Sequence, residues 1–182
     1  MEKYYTLRVA GLTRQLKICP VSETLDIAAF VMFSDVELTT ACAEQLNARV
    51  PAYDYILTAE SKGIPLAYEM ARQSGTPYLV ARKSIKAYMT NVLSVDVKSI
   101  TTAAQQTLHL DGEKAAWLRG KRVLLVDDVV STGESLRALQ TLAKAAGGVI
   151  VGNAAVLAEG DAAVRDDLIF LETLPLFFRN QA

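Results

Sequence analysis

Two adjacent carboxylates and a turn of small polar residues follow the most apolar segment of the chain. Residues 123–126 are Val-Leu-Leu-Val, Asp127 and Asp128 come next, and residues 129–135 read Val-Val-Ser-Thr-Gly-Glu-Ser. An ionised carboxylate only accepts hydrogen bonds, so the acidic pair suits a ligand that donates them, such as a diol. The turn offers backbone N–H groups and the positive end of a following helix, which suit a phosphate. The pattern therefore predicts a site for a sugar phosphate such as ribose 5-phosphate.

Two further polar segments each follow a predicted strand. Residues 60–63 read Glu-Ser-Lys-Gly, and residues 82–86 read Arg-Lys-Ser-Ile-Lys. Their cations suit a ligand with several negative charges, such as a diphosphate. Either segment alone is more typical of an exposed turn. Because the carboxyl ends of parallel strands share one edge of a sheet, we expect both segments to lie near the acidic pair.

The remaining pattern alternates strands with helices. The sequence predicts an N-terminal hairpin over residues 4–18 around Gly11, and a helix over 35–48 that begins with a capping box from Ser34 to Glu37. Further helices are predicted at 64–73 and 134–146, and further strands at 55–58, 78–81, 122–126, 149–157 and 168–171. This alternation predicts an α/β fold with a central, mostly parallel sheet flanked by helices.

The segment from residue 84 to about 110 is rich in polar residues and has only weak alternation of apolar residues. It predicts a weak hairpin outside the core. A connection of this length is uncommon unless it serves a function.

The composition limits the classes of protein to consider. The chain has 182 residues, 51% hydrophobic and 21% charged, which predicts a single globular domain over residues 1–182. Its net charge of −1 gives no positive field for nucleic acid, and no apolar stretch approaches the roughly 20 residues of a membrane span. Cys19, Cys42 and His109 cannot form a cysteine-rich zinc site, so any metal would have oxygen ligands. We expect a cytoplasmic protein without nucleic-acid or membrane partners.

The segment 123–135 resembles the phosphoribosyl diphosphate signature of type I phosphoribosyltransferases, with apolar residues, two acidic residues and a Thr-Gly turn. The spacing of the three polar segments is closest to that of the adenine and xanthine enzymes. The resemblance implies the type I fold with a small hood, formed from about residues 1–33 and 158–182, and a flexible flap hairpin over about 84–110. It also implies that the turn at 60–63 contains a cis non-proline peptide.

The resemblance assigns roles to individual residues. Asp127 and Asp128 would contact the ribose hydroxyls, and Lys62 and Arg82 would join them as catalytic residues. The 5-phosphate would be bound by Val130, Ser131, Thr132, Gly133, Glu134 and Ser135, and the diphosphate by Ser61, Lys62, Gly63, Arg82, Lys83 and Lys86. Phe30 and Phe33 could pack over a flat base, although such residues are more often plain core.

The reaction implied is transfer of the phosphoribosyl group from phosphoribosyl diphosphate to a purine base, with adenine as the first choice. A xanthine or guanine enzyme and a non-catalytic regulator that binds phosphoribosyl diphosphate remain alternatives. Mg²⁺ would be held mainly through substrate oxygens and waters, with Asp127 and Asp128 as candidate ligands. The resemblance also implies a homodimer. Two features differ from the adenine enzymes: the hairpin over residues 4–18 replaces the Phe-Pro-x-Pro-Gly-Ile start of many of them, and Glu134 occupies a position that is often glycine.

Overall fold

The computed structural model describes residues 3–98 and 105–179. The strands are β1 (Tyr4–Val9), β2 (Leu12–Pro20), β3 (Leu25–Ala28), β4 (Tyr55–Ala59), β5 (Tyr78–Ala81), β6 (Leu93–Lys98), β7 (Gln105–Leu110), β8 (Arg122–Val130), β9 (Val149–Glu159), β10 (Ile169–Leu174) and β11 (Leu176–Phe178). The helices are α1 (Val36–Asn47), α2 (Ile64–Ser74), α3 (Gly112–Trp117) and α4 (Glu134–Ala145), and a 3-10 helix covers Gly160–Val164.

A five-stranded parallel sheet forms the centre of the molecule, in the order β10-β9-β8-β4-β5. Strand β8 lies in the middle, and its apolar residues 123–126 are fully buried. A strand covered on both faces needs a continuous apolar run rather than alternation, and the sequence has one here. The predicted α/β fold is confirmed.

Each face of the central sheet is covered by a different layer. On one face, buried side chains of α1 and α2 pack with those of β1 and β2 against residues such as Ile56 and Leu124. On the other face, α4 and the β6–β7 hairpin pack against residues such as Leu57 and Leu125. Successive residues of one strand therefore serve two separate cores.

A second, four-stranded sheet has the order β1-β2-β3-β11 and forms the hood. Tyr5 and Phe177 make an edge-to-face contact across it, with ring centroids 5.8 Å apart. Asp26 and Arg179 form an ion pair that joins β3 to the residue after β11. The short strands β3 and β11 are not apparent in the sequence pattern, because neither has the length or alternation of an independent strand.

The start of α1 differs from the predicted capping box by one residue. Asp35 caps the helix by accepting a hydrogen bond from the Leu38 N–H at 3.1 Å, whereas Ser34 has a φ of 69° and lies outside the helix. The Asp35 carboxylate also accepts from Arg14 Nε of β2 at 2.7 Å. Asp35 therefore caps α1 and also links it to the hood through a charge-assisted hydrogen bond.

The β6–β7 hairpin confirms the predicted hairpin but corrects its predicted place outside the core. Val95, Leu108 and Leu110 are buried in the same apolar core as α4. Polar residues alternate with them on the exposed face, which explains the weak pattern. Residues 99–104 at the tip of the predicted flap lie outside the described residues.

None of the helices within residues 3–98 and 105–179 has both the length and the apolar character needed to cross a bilayer.

Candidate active site

Asp127 and Asp128 lie in the last part of β8, which continues to Val130 rather than ending at the predicted residue 126. Side chains alternate along the strand, so the two carboxylates have different environments. Asp127 is partly exposed at the sheet edge, and Asp128 is only 2% exposed. The Asp128 backbone N–H donates to Asp127 Oδ1 at 2.9 Å, which fixes the orientation of the first carboxylate.

The loop after β4 packs directly against this acidic pair. The Glu60–Ser61 peptide is cis, as the resemblance implied. Lys62 Nζ lies 3.4 Å from Asp128 Oδ2. A Cβ placed on Gly63 would lie 2.5 Å from Thr58 Oγ1 and 3.0 Å from Asp127 Oδ1, so only glycine fits without displacing one of them.

Burial raises the pKa of Asp127 to about 7, and the neighbouring Asp128 carboxylate raises it further in the same direction. The Lys62 ammonium acts against both effects. The protonation state of Asp127 therefore changes near neutral pH. A ligand that binds more tightly to the ionised carboxylate than to the protonated form would cause Asp127 to release its proton.

Two buried oxygen atoms at this edge have no hydrogen-bond partner among the described residues. They are Thr58 Oγ1 and Asp128 Oδ2. Lys62 supplies positive charge near Asp128 without a hydrogen bond to Oδ2. A buried acceptor without a donor is unfavourable by about 1–3 kcal/mol, so Asp128 is prepared for a ligand hydroxyl or a cation.

The turn after β8 forms a small cradle at the start of α4. Gly133 has a φ of 77° and provides no side-chain cap for the helix. Thr132 Oγ1 lies 3.5 Å from the Glu134 N–H. A cavity of about 130 Å³ is lined by Asp127 and residues 129–136. Its position at a helix N-terminus suits a phosphate group.

A second cavity of about 190 Å³ lies beside the first. Glu60, Ser61, Lys62 and Lys83 line it, together with both carboxylates of the acidic pair. Asp127, Val129 and Ser135 line both cavities. The two cavities therefore adjoin at Asp127, with the helix N-terminus at one end and two lysines at the other.

The predicted cations separate into two groups in the structure. Lys62 and Lys83 line the cavity beside the acidic pair. Arg82 instead donates to Tyr88 OH at 3.1 Å and lies 3.6 Å from Glu60 Oε1, and it lines a separate cavity of about 560 Å³. Lys86 Nζ donates to Ser84 Oγ at 2.6 Å. In this conformation neither Arg82 nor Lys86 lines the cavity of the acidic pair.

Glu60 has a role that the sequence analysis did not assign. Its Oε2 accepts from the Lys83 N–H at 2.9 Å, and its Oε1 faces Arg82. The hydrogen bond from Lys83, together with the charges of Lys86, Arg82 and Lys83, lowers the pKa of Glu60. Glu60 thus joins the loop after β4 to the basic segment after β5. The signal for this contact in the sequence is that the two segments follow neighbouring strands.

The two predicted base-pocket residues do not line either cavity that contains Asp127. Phe30 is 4% exposed and packs in the core with Met32, so it has no free face for a planar ligand. Phe33 is 47% exposed on the surface. Phe30 is therefore a core residue, which is the alternative given for it from the sequence. The base-binding role of Phe33 stays a prediction.

The carboxylate oxygens of Asp127 and Asp128 suit a hard cation whose other ligands are not protein side chains. The described residues contain no cluster of three or more His, Cys, Asp or Glu side chains that could hold a metal. The orphaned Oδ2 of Asp128 and the nearby Asp127 carboxylate are oxygen donors of the kind that Mg²⁺ prefers. Substrate oxygens and waters would have to complete the coordination.

The chain matches known proteins both in sequence and in fold. Residues 40–176 match the family model of the phosphoribosyl transferase domain. A hypoxanthine/guanine phosphoribosyltransferase from Methanococcus voltae is 31% identical over 79% of this chain and 71% of the relative. A xanthine phosphoribosyltransferase from Exiguobacterium is 33% identical over 64% of this chain and 60% of the relative. Matches to other hypoxanthine/guanine relatives cover as little as 53% of the relative's length.

The solved structure of adenine phosphoribosyltransferase from Leishmania donovani shares the fold, with a TM-score of 0.63 and 22% identity. The match covers 75% of this chain and 65% of that protein. The matched family region contains the loop after β4, the basic segment after β5 and the whole of β8 with its cradle.

Proposed function

The chain belongs to the phosphoribosyl transferase domain family, and on that premise we propose that it transfers a phosphoribosyl group from phosphoribosyl diphosphate to a purine base. The observation that supports this most directly is the pair of cavities that adjoin at Asp127. A ribose lying over Asp127 and Asp128 would place its 5-phosphate in the cradle of α4. Its 1-diphosphate would then lie beside Lys62 and Lys83.

In the proposed reaction, a ring nitrogen of the base attacks the anomeric carbon from the face opposite the diphosphate. The new carbon–nitrogen bond forms as the bond to the diphosphate oxygen breaks, and the electron pair of that bond leaves with the diphosphate. The base then releases its proton to solvent water. Lys62, Lys83 and the backbone around Ser61 and Gly63 would stabilise the growing charge on the diphosphate. The Asp127 and Asp128 carboxylates would accept hydrogen bonds from the ribose hydroxyls and favour the positive charge that develops on the sugar.

Mg²⁺ bound to the substrate diphosphate would neutralise part of its charge. Asp127 and Asp128 are the residues that would hold the ion on the protein side. The described part of the β6–β7 hairpin packs with α4. The flap that the resemblance implies over about residues 84–110 would cover the site and exclude water.

The identity of the base is a finer proposal. The sequence pattern favours adenine, and the fold neighbour named above is an adenine enzyme, but at 22% identity that likeness concerns the fold. The relatives at 31% and 33% identity are named for hypoxanthine, guanine and xanthine. We therefore propose a 6-oxopurine as the preferred acceptor, with adenine as the second candidate.

We also propose that the protein acts as a homodimer. Arg82 and Tyr88 line the large cavity beside the edge strand β5, and both Tyr88 and Ile85 of this segment are exposed. In the resembling enzymes the first basic residue of this segment can reach the neighbouring subunit's substrate. Such a role would explain why Arg82 lies away from the acidic pair of its own subunit.

The test is product formation from phosphoribosyl diphosphate and Mg²⁺ with adenine, hypoxanthine, guanine, xanthine and orotate offered separately. We expect a nucleoside monophosphate from one or more purines, none from orotate, and loss of turnover in the double variant Asp127→Asn/Asp128→Asn. Tight binding of phosphoribosyl diphosphate without turnover on any base would instead support a non-catalytic regulator.

A further inference from the structure

We propose that Arg165 is a ligand of the 5-phosphate, an inference that rests on the proposed function. Arg165 directly follows the 3-10 helix Gly160–Val164, and the proposed phosphate turn belongs to the connection between β8 and α4. The two segments meet at Gly133. A Cβ placed on Gly133 would lie 2.8 Å from Arg165 Nη1 and 3.6 Å from its Cζ, so the guanidinium rests against the glycine of the cradle.

The orientation of the guanidinium is set by Asp167. Arg165 Nε donates to Asp167 Oδ1 at 2.9 Å, and Nη2 donates to Oδ2 at 2.8 Å. This bidentate pair occupies one edge of the guanidinium and turns Nη1 toward Gly133. The N–H groups of Nη1, which take no part in this pair, are therefore held next to the cradle.

Asp167 is held in turn by a buried side chain. Asn153 of β9 is 5% exposed, and its Nδ2 donates to the Asp167 backbone carbonyl at 2.8 Å. Asn153 Oδ1 accepts from Gln140 of α4 at 3.3 Å. The chain of contacts from Gln140 to Arg165 starts on the helix whose N-terminus forms the cradle and returns to that cradle. The segment that contains Asp167 is therefore anchored to the helix that begins at the cradle.

The charges of the cradle explain what the arginine would do. The residues lining the cavity include no lysine or arginine, but they include the carboxylates of Asp127 and Glu134. Backbone N–H groups and a helix dipole supply only partial charges, whereas a phosphate ester is close to a dianion at neutral pH. Arg165 is a full cation beside this cavity, and a guanidinium is well suited to bind phosphate oxygens.

The experiment compares Arg165→Met with the unchanged protein in binding of ribose 5-phosphate and, separately, of Mg²⁺ pyrophosphate by titration calorimetry. Methionine keeps an apolar stem against Gly133 and removes the charge. We expect the ribose 5-phosphate Kd to rise roughly 10- to 100-fold, as for loss of a charge-assisted hydrogen bond. The pyrophosphate Kd should stay within about twofold, because the lysines that bind pyrophosphate remain.

Two further variants make the result specific. Arg165→Lys should retain part of the affinity for ribose 5-phosphate, because it keeps the charge without the fork. Arg8→Met, which removes an exposed arginine from β1 of the hood, should leave both affinities unchanged.

The possible failures are distinguishable. If the unchanged protein binds neither ribose 5-phosphate nor phosphoribosyl diphosphate, the proposed function itself is wrong. If it binds ribose 5-phosphate and Arg165→Met binds it equally well, only the role of Arg165 is wrong. The Met and Lys variants could also lose the same affinity for ribose 5-phosphate, unfold at a lower urea concentration and bind pyrophosphate more weakly. That result would show that Arg165 only stabilises the turn, and it would overturn the assignment of Arg165 as a ligand.

Discussion

At the scale of single residues, the environment of Asp127 favours its protonated form, whereas the proposed ligand favours its ionised form. Its side chain is only partly exposed at the sheet edge, and burial together with the neighbouring Asp128 carboxylate raises its pKa to about 7. The proposed ligand needs it as an ionised acceptor. Below pH 7 the free protein therefore holds a proton that the bound state releases, and affinity for phosphoribosyl diphosphate should fall as the pH falls from 8 to 6.

The same pKa determines how the folding stability depends on pH. In the unfolded chain Asp127 titrates near 3.8, so between about pH 4 and 7 the folded protein binds more protons at this site than the unfolded chain. The contribution of Asp127 to folding stability is therefore lost as the pH rises through that range.

This pH dependence can be measured by titration calorimetry with Mg²⁺ phosphoribosyl diphosphate in two buffers of different ionisation enthalpy. We expect net proton release at pH 6.5. The substrate 5-phosphate also titrates near pH 6, so Asp127→Asn is the control: it should keep only the phosphate contribution. Identical proton release in both proteins would contradict a ligand-linked Asp127.

Gly63 offers a second test at this scale. Its φ is −72°, which any residue can adopt, so Gly63→Ala would act only through the collision of the new methyl group with Thr58 and Asp127. Displacing the loop that contains Lys62 should lower kcat/KM by about 100-fold.

The matched control is Gly11→Ala in the hood hairpin, where φ is 76° and no atom lies within 4 Å of the new Cβ. That change should reduce the free energy of unfolding by roughly 1–2 kcal/mol and leave kcat/KM unchanged. Wild-type kinetics in Gly63→Ala would show that the close approach has no functional meaning.

At the scale of elements, the sequence predicted what local chemistry determines. The buried strand at residues 123–126, the acidic pair and the helix that follows depend on a continuous apolar run and a small-residue turn, and all three are present. What it could not predict depends on distant partners. The position of Arg82 depends on Glu60 and Tyr88, the burial of Phe30 on the hood, and the packing of the hairpin on α4.

The packing of the β6–β7 hairpin in the core with α4 leads to a stability prediction. Leu108 of β7 is fully buried in the core with α4, so Leu108→Ala should lower the free energy of unfolding by about 2–5 kcal/mol. Ile85→Ala, in the exposed basic segment, should change it by less than about 0.5 kcal/mol. Urea unfolding measures both. A Leu108 variant as stable as the Ile85 variant would mean that strands β6 and β7 do not contribute to the core.

At the scale of the whole molecule, the hood and the central sheet have one continuous core. Leu7 and Leu16 of the hood are buried in the same cluster as Leu124 and Val126 of β8, and Arg14 fixes the hood to α1 through Asp35. The opposite layer depends on the same central strands through Leu57 and Leu125. Unfolding either layer would expose one face of those strands, so we expect one cooperative transition.

The ligand site lies at the edge of these same strands, so binding should stabilise the molecule as a unit. Mg²⁺ phosphoribosyl diphosphate at 100 times its Kd should add about 2.7 kcal/mol, which for a domain of this size raises Tm by roughly 5–11 °C. The fluorescence of Trp117, the single tryptophan, reports on α3, and far-UV circular dichroism reports on all the sheets and helices. Both probes should shift together, and Asp127→Asn/Asp128→Asn should lose the shift. A ligand-dependent shift in one probe alone would mean that the layers unfold separately and that the shared strands do not couple the site to the whole fold.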